Sequence, residues 1–403
     1  MRLRTIFLAL IVTLTIAACG PQATPAPAAE ATRPPATATV PPTSTATPTE
    51  IPPSPAPAAA PAPAATPAPK TVGPDNFPPG VDPLTGLPVS DPALLERRPM
   101  AIKISNDPRA MRPQWGLNEA DIVYEYYAEL GRTRFIGVFY GQDSEQVGPI
   151  RSARLFDAHI VRMYKAALAF VSADFRVLDY LFSAEFADRL VSEYPAGCPP
   201  MCRVDPQGWN HVLTNTSDLS KYLTEQGIDN SRQNLDGMYF DPAPPPGGQE
   251  ADRINVRYSM SFYGQWDYDP ASGRYIRSQD TAEAQTPADE QYTVLTDRVD
   301  GQPVQADNVV VLFVPHEYWF KQGRTEIFDI QLNGFGKAYV FRDGQVYEVS
   351  WGRNAAGQVL SLFYPDGSRF PLKPGRTFYQ VVGASSQVNQ PAEGVWRFLF
   401  WLP

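Results

Sequence analysis

The residue types best suited to bind a ligand lie together in residues 148–154, with the sequence Gly-Pro-Ile-Arg-Ser-Ala-Arg. A stripe of apolar side chains at helical spacing follows, so we predict that Ser152 caps a helix. A helix N-terminus carries unpaired N–H groups and partial positive charge, and a cation there costs roughly 0.3 to 1 kcal/mol. Arg151 and Arg154 are therefore expected to face an anion, and Arg134 could join them from the preceding strand. The segment indicates a site for a carboxylate or phosphate ligand.

Two other interpretations of these arginines remain open. The guanidinium groups could pair inside the protein with Glu125, Glu129 or Asp157, because buried ion-pair networks are common. Alternatively, Glu125, Glu129 or Asp107 could act as acid or base beside the arginines, as in a hydrolase or transferase of the cell envelope. Asn106, at the turn that ends the first predicted strand, and Glu125 are further candidate ligand-binding residues.

The sequence offers no common catalytic or metal-binding motif. It lacks the G-x-S-x-G, Walker A, H-E-x-x-H and dinucleotide-binding patterns. His211 follows an asparagine and could serve as a base, but a lone histidine in a loop is more often structural. His159 and His316 have no cysteine or carboxylate nearby at metal-ligand spacing. We therefore expect no metal and no cofactor, and the motifs favour a binding protein while leaving enzymatic activity open.

The N-terminus has the pattern of an export signal followed by a lipid-modified cysteine. Two arginines precede an apolar run at residues 6–16, which is too short to span a bilayer because a spanning helix needs about 20 apolar residues. A pair of alanines then leads to Cys19, and this arrangement resembles a bacterial lipobox. We predict a signal peptide at residues 1–18 and a lipid anchor that holds the protein on the extracytoplasmic side of the membrane. An ordinary secretory signal that contains a cysteine is the alternative.

The composition after Cys19 predicts a disordered tether. Residues 19–75 are mostly proline, alanine and threonine, which provide little apolar surface to bury and favour the polyproline II conformation. The formal charge of the whole chain is -9, which argues against nucleic acid as a partner. The expected partners are the membrane, through the lipid, and an anionic ligand, cell-wall component or envelope protein.

The two cysteines after the signal, Cys198 and Cys202, are predicted to form a disulfide. Their C-x-x-x-C spacing in an exported protein favours a small closed loop. A metal half-site is the alternative, but the chain contains only 3 cysteines and His211 alone lies nearby to complete such a site.

The remaining chain has two regions with different periodicity, separated by a proline- and glycine-rich segment at residues 242–248. Residues 76–242 alternate strand-like runs with helical stripes, and we predict a mixed α/β sheet with flanking helices. Helices are predicted at 153–164, 173–191 and 218–226, the last capped by Ser217. Residues 249–403 nearly lack helical periods, and the Asp-Gly pairs at 343–344 and 366–367 predict hairpins, so this region should be mostly antiparallel β. The predicted fold class is α+β.

Several sequence blocks in both regions resemble the YerB-like bacterial lipoproteins, a family of unknown function with an N-terminal and a C-terminal module. The blocks are residues 98–106, 112–117, 120–125, 133–135, 148–154, 334–338 and 372–377. The resemblance implies an exported lipoprotein of two modules, and it implies no reaction. Family members tend to have Pro-His-Asn where this chain has Trp209-Asn210-His211, so any family role of that histidine does not transfer to His211.

Overall fold

The computed structural model describes residues 71–205, 207–208 and 211–402. The predicted signal peptide, Cys19 and nearly all of the predicted tether lie outside these residues. Within the described part, no helix is both long enough and apolar enough to cross a membrane.

The described residues form α-helices and a larger number of β-strands. The strands are β1 Met100–Ser105, β2 Ile122–Glu129, β3 Arg132–Phe139, β4 Ala167–Phe170, β5 Leu190–Ser192, β6 Met201–Arg203, β7 Val212–Thr214, β8 Gln249–Glu250, β9 Arg253–Arg257, β10 Tyr263–Asp269, β11 Arg274–Asp280, β12 Tyr292–Val294, β13 Gln305–Ala306, β14 Asn308–Val314, β15 His316–Gln322, β16 Thr325–Ile330, β17 Gly334–Arg342, β18 Gln345–Arg353, β19 Ser361–Phe363, β20 Thr377–Gly383, β21 Gln387–Ala392 and β22 Val395–Leu399. The helices are α1 Leu155–Tyr164, α2 Phe175–Phe182, α3 Glu193–Ala196 and α4 Thr216–Glu225.

The main sheet joins strands from both halves of the chain. Its order is β19-β18-β17-β14-β20-β2-β3-β1-β4-β5, with β8 paired to β18. At its centre, β20 pairs in parallel with β2 on one side and with β14 on the other. Every residue of β14 and β20 is buried, as expected for parallel strands that are covered on both faces. The two regions of the sequence therefore share one sheet.

A second sheet contains only strands from the C-terminal region. Its order is β12-β11-β10-β9-β22-β21, with β13 paired to β11. The pairs are antiparallel apart from β22, which runs parallel to β9. The two sheets contact each other through aromatic side chains, and the fully buried Trp266 packs edge-on against Phe378 of β20 at 4.8 Å between ring centroids. This architecture confirms the predicted α+β class, with mixed pairing in the N-terminal part and mostly antiparallel pairing in the C-terminal part.

Helix α1 packs on the main sheet through the predicted apolar stripe, but its start differs from the prediction. The ring of Phe156 lies 4.3 Å from that of Tyr126 and 6.0 Å from that of Tyr124. The N-cap is Arg154, and Ser152 caps nothing. Residues 151–153 cannot be helical because their backbone links β1 to β4: the Arg151 amide donates to Lys103, the Val171 amide donates to Arg151, and the Ala153 amide donates to Ser172.

Other predicted boundaries also shift. The second helix is short, Phe175–Phe182, and the chain then forms a 3-10 turn and β5. The third predicted helix corresponds to α4 and begins at Thr216. Its N-cap is Asn215, not Ser217, because the Asn215 side chain accepts hydrogen bonds from the amides of Ser217 and Asp218. The Asp343-Gly344 hairpin joins β17 and β18 as predicted, and both residues have positive φ, which a tight two-residue turn requires. Cys198 and Cys202 form the predicted disulfide, with their Cα atoms 4.5 Å apart.

Candidate functional site

The candidate anion-binding residues lie at one edge of the main sheet. Strands β1, β2 and β4 run in the same direction, because β3 is antiparallel to β1 and β2 while β4 is parallel to β1. Their carboxyl ends meet at this edge, where α1 also begins. Ligands of open α/β sheets commonly bind outside the carboxyl ends of the strands and near helix N-termini. We use the term arginine cluster for Arg132, Arg134, Arg151 and Arg154 together with Asp107 and Glu129.

Arg154 is the arginine most firmly held inside the cluster. Its Nη2 lies 2.5 Å from Oε2 of Glu129, and its Nε donates to the same oxygen at 2.6 Å. Its Nη1 donates to the carbonyl oxygens of Ser152 and Ala153 at 3.0 and 2.9 Å. Burial alone would lower the pKa of Arg154, but Glu129 raises it above the ordinary value. Arg154 is therefore an internal partner of Glu129 that also fixes the backbone at the start of α1.

Arg134 is almost fully buried, yet its pairing is incomplete. Its side chain is 5% exposed, its Nη2 lies 3.6 Å from Oε1 of Glu129, and its Nη1 donates to the carbonyl of Thr133. Its Nε is buried with no hydrogen-bond partner among the described residues. Burial, with the neighbouring charges of Arg154 and Arg151, lowers the pKa of Arg134 to about 10. A buried donor without a partner costs roughly 1–3 kcal/mol.

Arg151 is half-buried and has the least internal support. Its Nε is also buried without a partner among the described residues. Burial lowers its pKa from the ordinary value, and the charges of Arg154 and Arg132 lower it further, while Asp107 and Glu129 raise it. Two of the three predicted ligand arginines, Arg134 and Arg151, thus keep an unpaired N–H group at this edge.

The arginine cluster carries an excess of positive charge and reaches the surface. Its four guanidinium groups face two carboxylates, Asp107 and Glu129. Arg132 pairs with Asp107 at 3.2 Å, and these side chains are 40% and 26% exposed. Two positive charges therefore remain uncompensated beside the solvent-facing part of the cluster, which is the charge that a dianionic group would balance.

Lys103, which the sequence analysis missed, lies beneath the cluster. Its Nζ is 3.2 Å from Oδ1 of Asp157, and the Tyr126 hydroxyl donates to the same oxygen at 2.5 Å. Burial lowers the pKa of Lys103 to about 7, against the opposing attraction of Asp157. The other oxygen of Asp157 accepts the Arg154 amide at 2.8 Å, so Asp157 supports the helix start. The sequence signal for this buried residue was a lysine in the middle of the apolar run of β1.

Glu125 and Asn106 belong to a different polar network. Oε2 of Glu125 pairs with Nη2 of Arg277 at 2.7 Å, and both side chains are buried. Nδ2 of Asn106 donates to Glu125 at 3.2 Å, and Nε2 of Gln279 donates to Oδ1 of Asn106 at 3.0 Å. This network joins the main sheet to β11 of the second sheet. The structure therefore brings Arg134, Arg151, Ser152 and Arg154 together and places Glu125 and Asn106 in an internal contact.

Glu129 is the carboxylate nearest to the arginines, and it is poorly suited to donate a proton. Burial would raise its pKa, but the guanidinium groups of Arg154 and Arg134 lower it below the ordinary value. Glu129 is therefore ionised at neutral pH, whereas a general acid needs a raised pKa. Glu129 therefore lacks the raised pKa that a general acid requires.

His211 lies in a loop, where its Nε2 is 3.7 Å from Oδ2 of the half-exposed Asp205. The neighbouring Trp209 and Asn210 lie outside the described residues. Among the residues that the structure describes, no group of three or more His, Cys, Asp or Glu side chains could hold a metal ion. Cys198 and Cys202 are bonded to each other, which leaves neither free as a metal ligand.

The protein is an α+β protein of two sheets. One is a mixed sheet with a basic edge beside a helix start, and the other is mostly antiparallel. Residues 84–229 match the model described as "Protein of unknown function (DUF3048) N-terminal domain". Residues 254–379 match the corresponding C-terminal domain. The chain belongs to this family, as the resemblance of its sequence blocks predicted.

Similar proteins support the assignment. The chain is 30% identical over 311 residues to "Putative lipoprotein YerB" of Bacillus subtilis (strain 168). The aligned residues make up 74% of this chain and 85% of the relative. A crystal structure of the YerB protein from Bacillus subtilis matches with a TM-score of 0.63 at 27% identity, over 75% of this chain and 96% of the other. The described fold is thus one that a solved member of the family shares.

Proposed function

We propose that this protein is a lipid-anchored, extracytoplasmic binding protein that takes an anionic ligand or envelope partner at the arginine cluster. The ligand part rests on the buried Nε groups of Arg134 and Arg151, which have no hydrogen-bond partner in the part of the chain that the structure describes. It rests also on the excess of two guanidinium groups over carboxylates in the cluster. Buried donors and uncompensated charge are both costly in a folded protein, and one bound anion relieves both. The ordinary chemistry of such a site is recognition of phosphate or carboxylate.

The position of the cluster supports the same proposal. The amides at the start of α1 and the guanidinium of Arg151 lie at the carboxyl edge of the sheet, where the helix dipole also favours negative charge. Arg154 and Glu129 hold each other, so Arg151 can change partners without breaking an ion pair. We therefore assign Arg151 and Arg134 to the ligand and Arg154 to the framework.

Titration with inorganic phosphate, followed by calorimetry, tests the ligand part. We expect Arg151→Ala to weaken phosphate binding at least tenfold, which corresponds to about 1.4 kcal/mol. Arg253→Ala is the matched control, because Arg253 is an exposed arginine that pairs with Asp267 in the second sheet, and its removal should leave binding unchanged. Equal affinities of the two variants, or no phosphate binding by the unmodified protein, would contradict the proposal.

The anchor is proposed from the lipobox-like sequence at Cys19 and from the lipoprotein name of the relative. Cys19→Ser should abolish membrane retention, because a serine hydroxyl cannot form the thioether to the lipid. Membrane fractionation and N-terminal mass analysis of the unmodified protein and of the Cys19→Ser variant measure this. If both proteins sediment with the membrane and share one N-terminus, the anchor is not at Cys19, and the ligand part of the proposal is unaffected.

A further inference from the structure

A second surface feature lies away from the arginine cluster, between α2 and the hairpin of β15 and β16. A cavity of about 610 Å³ opens there, lined by α2 residues, by Arg162 of α1 and by Trp319 of β15. We call it the aromatic cleft. A second cavity of about 440 Å³ adjoins it and shares Arg162 and Tyr180. Both volumes lie in the range of roughly 300–1,000 Å³ that is typical of small-molecule sites.

Exposed aromatic side chains are concentrated around the aromatic cleft. Trp319 is 46% exposed and Tyr180 is 39% exposed, and both line the cavity. Phe175 and Phe182 lie on the same helix as Tyr180 and are exposed at 62% and 52%, although they do not line either cavity. Large apolar groups on a protein surface are costly, and their clustering marks an interaction site.

The backbone of β15 is irregular at Trp319. The register between β15 and β16 shifts between Tyr318 and Phe320, so Trp319 is the extra residue of a β-bulge. Bulges redirect a side chain and occur preferentially beside functional sites. The flanking Phe320 is fixed, because the guanidinium of Arg176 lies 3.8 Å from its ring centroid. The bulge therefore places Trp319, which lines the cavity, beside a residue that is held by Arg176.

The two arginines of the cleft are already held by other side chains. Arg162 holds Glu185 through two hydrogen bonds of 2.7 and 3.0 Å. Its Nη1 donates to the Tyr180 hydroxyl at 3.0 Å, so the hydroxyl hydrogen of Tyr180 remains free to donate elsewhere. Arg176 pairs with Asp174 at 3.1 Å. The arginines at this cleft are thus neutralised by carboxylates, in contrast to those of the arginine cluster.

The adjoining cavity adds uncharged donors and acceptors. It is lined by His159, Gln331 and Asn333, among others. Nδ1 of His159 lies 3.2 Å from Nη1 of Arg353. An arginine only donates, so Nδ1 accepts and Nε2 carries the hydrogen. Burial and the charge of Arg353 hold the pKa of His159 at about 3, which keeps the ring neutral.

We propose that the aromatic cleft and its neighbour form a binding site for a neutral oligosaccharide, with Trp319 and Tyr180 as stacking surfaces. A sugar ring has an apolar C–H face that packs on an aromatic ring, and an equatorial belt of hydroxyls that both donate and accept hydrogen bonds. The lining supplies both kinds of partner: its arginines are paired with carboxylates, and the further carboxylates of Asp179 and Asp329 can accept hydrogen bonds from hydroxyls. Two adjoining cavities fit a chain of several sugars better than a single one. This site uses residues outside the arginine cluster, so it is independent of the proposed anion binding.

Calorimetric titration of the purified protein with two β-1,4-linked tetrasaccharides, one of N-acetylglucosamine and one of glucose, tests the proposal. At least one should bind, and Trp319→Ala should weaken that binding at least tenfold. Trp401→Ala is the matched control, because Trp401 is 62% exposed and does not line either cavity; its affinity should change less than about twofold. Tyr180→Phe retains the ring and should lose about threefold through the missing hydroxyl.

The outcomes separate saccharide binding from other uses of the same aromatic surface. No binding of either tetrasaccharide up to about 10 mM would overturn the proposal. Equal loss in Trp319→Ala and Trp401→Ala would also overturn it, as would binding to phosphatidylcholine vesicles that Trp319→Ala abolishes without any tetrasaccharide binding. If Trp319→Ala fails to fold, Tyr180→Phe decides: unchanged affinity in that variant overturns the role assigned to the cleft.

Discussion

Arg151 and Arg154 are three positions apart at the start of α1, and their environments differ. Arg154 bonds Glu129 and two backbone carbonyls, whereas the Nε of Arg151 has no partner among the described residues. Each arginine therefore has a separate expected effect on stability.

Arg154→Ala should destabilise the protein by about 3 kcal/mol, because it leaves Glu129 with only the longer contact to Arg134 and removes the hydrogen bonds at the helix start. Arg151→Ala should change stability by less than about 0.5 kcal/mol, since it removes a cation beside a helix N-terminus and breaks no ion pair. Chemical denaturation of the two variants measures both values. A loss from Arg151→Ala as large as that from Arg154→Ala would remove the distinction between framework and ligand residue.

A buried carboxyl pair predicts the pH dependence of stability. Burial, followed by the charge of Asp121, raises the pKa of Asp82 well above its ordinary value. Burial also raises the pKa of Asp121 to about 6, although the amides of Gly141 and Tyr140 and the charge of Arg97 oppose this. Between about pH 4 and about pH 6, the folded protein therefore holds a proton that the unfolded chain has released. Stability must fall as the pH rises through this window.

Asp82→Asn should flatten that fall, because the amide cannot lose a proton. Thermal unfolding of both proteins at a series of pH values from about 4 to about 8 measures the difference. Burial raises the pKa of Glu119 to about 7, and this residue contributes equally to both proteins. The exposed Asp188→Asn is the control, and a profile for Asp82→Asn that parallels it would show that Asp82 does not titrate as proposed.

Arg151 and Arg154 could be singled out from the sequence because cations are unfavourable at the helix start predicted there. The ion-pair partners of these arginines could not be predicted from the sequence, because Glu129 and Asp157 are equally plausible partners until the fold is known. Ser152 does not cap the helix, because the backbone groups of Arg151 and Ala153 on either side of it form hydrogen bonds with residues in and next to β1 and β4. Lys103 was missed because a lysine within an apolar strand gives no indication of the Asp157 that accompanies it.

At the scale of elements, the periodicity of the sequence predicted where strands and helices occur, but it did not predict which strands pair with each other. The parallel pairing of β20 with β2 joins residues that lie more than half the chain apart, and no local pattern records such a contact. Residues 254–263 alternate between apolar and polar side chains as one strand would, but the structure forms two strands there, β9 and β10. The chain turns between them because the amides of Tyr258 and Ser259 both donate to the Phe262 carbonyl. Local chemistry therefore predicted elements and hairpins, and only tertiary contacts determined the sheet order.

The Cys198–Cys202 disulfide closes a short loop that ends within β6, and its contribution to stability should be modest. The chain-entropy model gives about 2 kcal/mol for so short a loop. The double variant Cys198→Ala/Cys202→Ala should therefore fold and should lose about that much free energy of unfolding. Denaturation with and without reductant measures it. If reductant destabilises the double variant as much as the unmodified protein, the effect does not arise from this disulfide.

At the scale of the molecule, the two sequence regions should unfold together. Strand β20 lies between β2 and β14, and Arg277 of the second region is paired with the buried Glu125 of the first. Separation of residues 76–242 from 249–403 would expose the edge of β2 and leave a buried carboxylate unpaired, at a cost of several kcal/mol. We expect one calorimetric transition for the whole protein and no folded state for residues 76–242 alone. Two well-separated transitions would contradict this.

The position of β20 also has a consequence for the order of events during biogenesis. Ile122 cannot acquire its neighbour Thr377 until nearly all of the polypeptide has been synthesised. Contacts between residues so distant along the chain slow folding, and an incomplete sheet leaves an unpaired strand edge that is prone to aggregation. For a chain that we propose to be exported, this delay is useful, because the nascent polypeptide can remain unfolded during translocation. Strand β20 is the last strand of the main sheet to be synthesised, and it is the one that joins the two halves of that sheet.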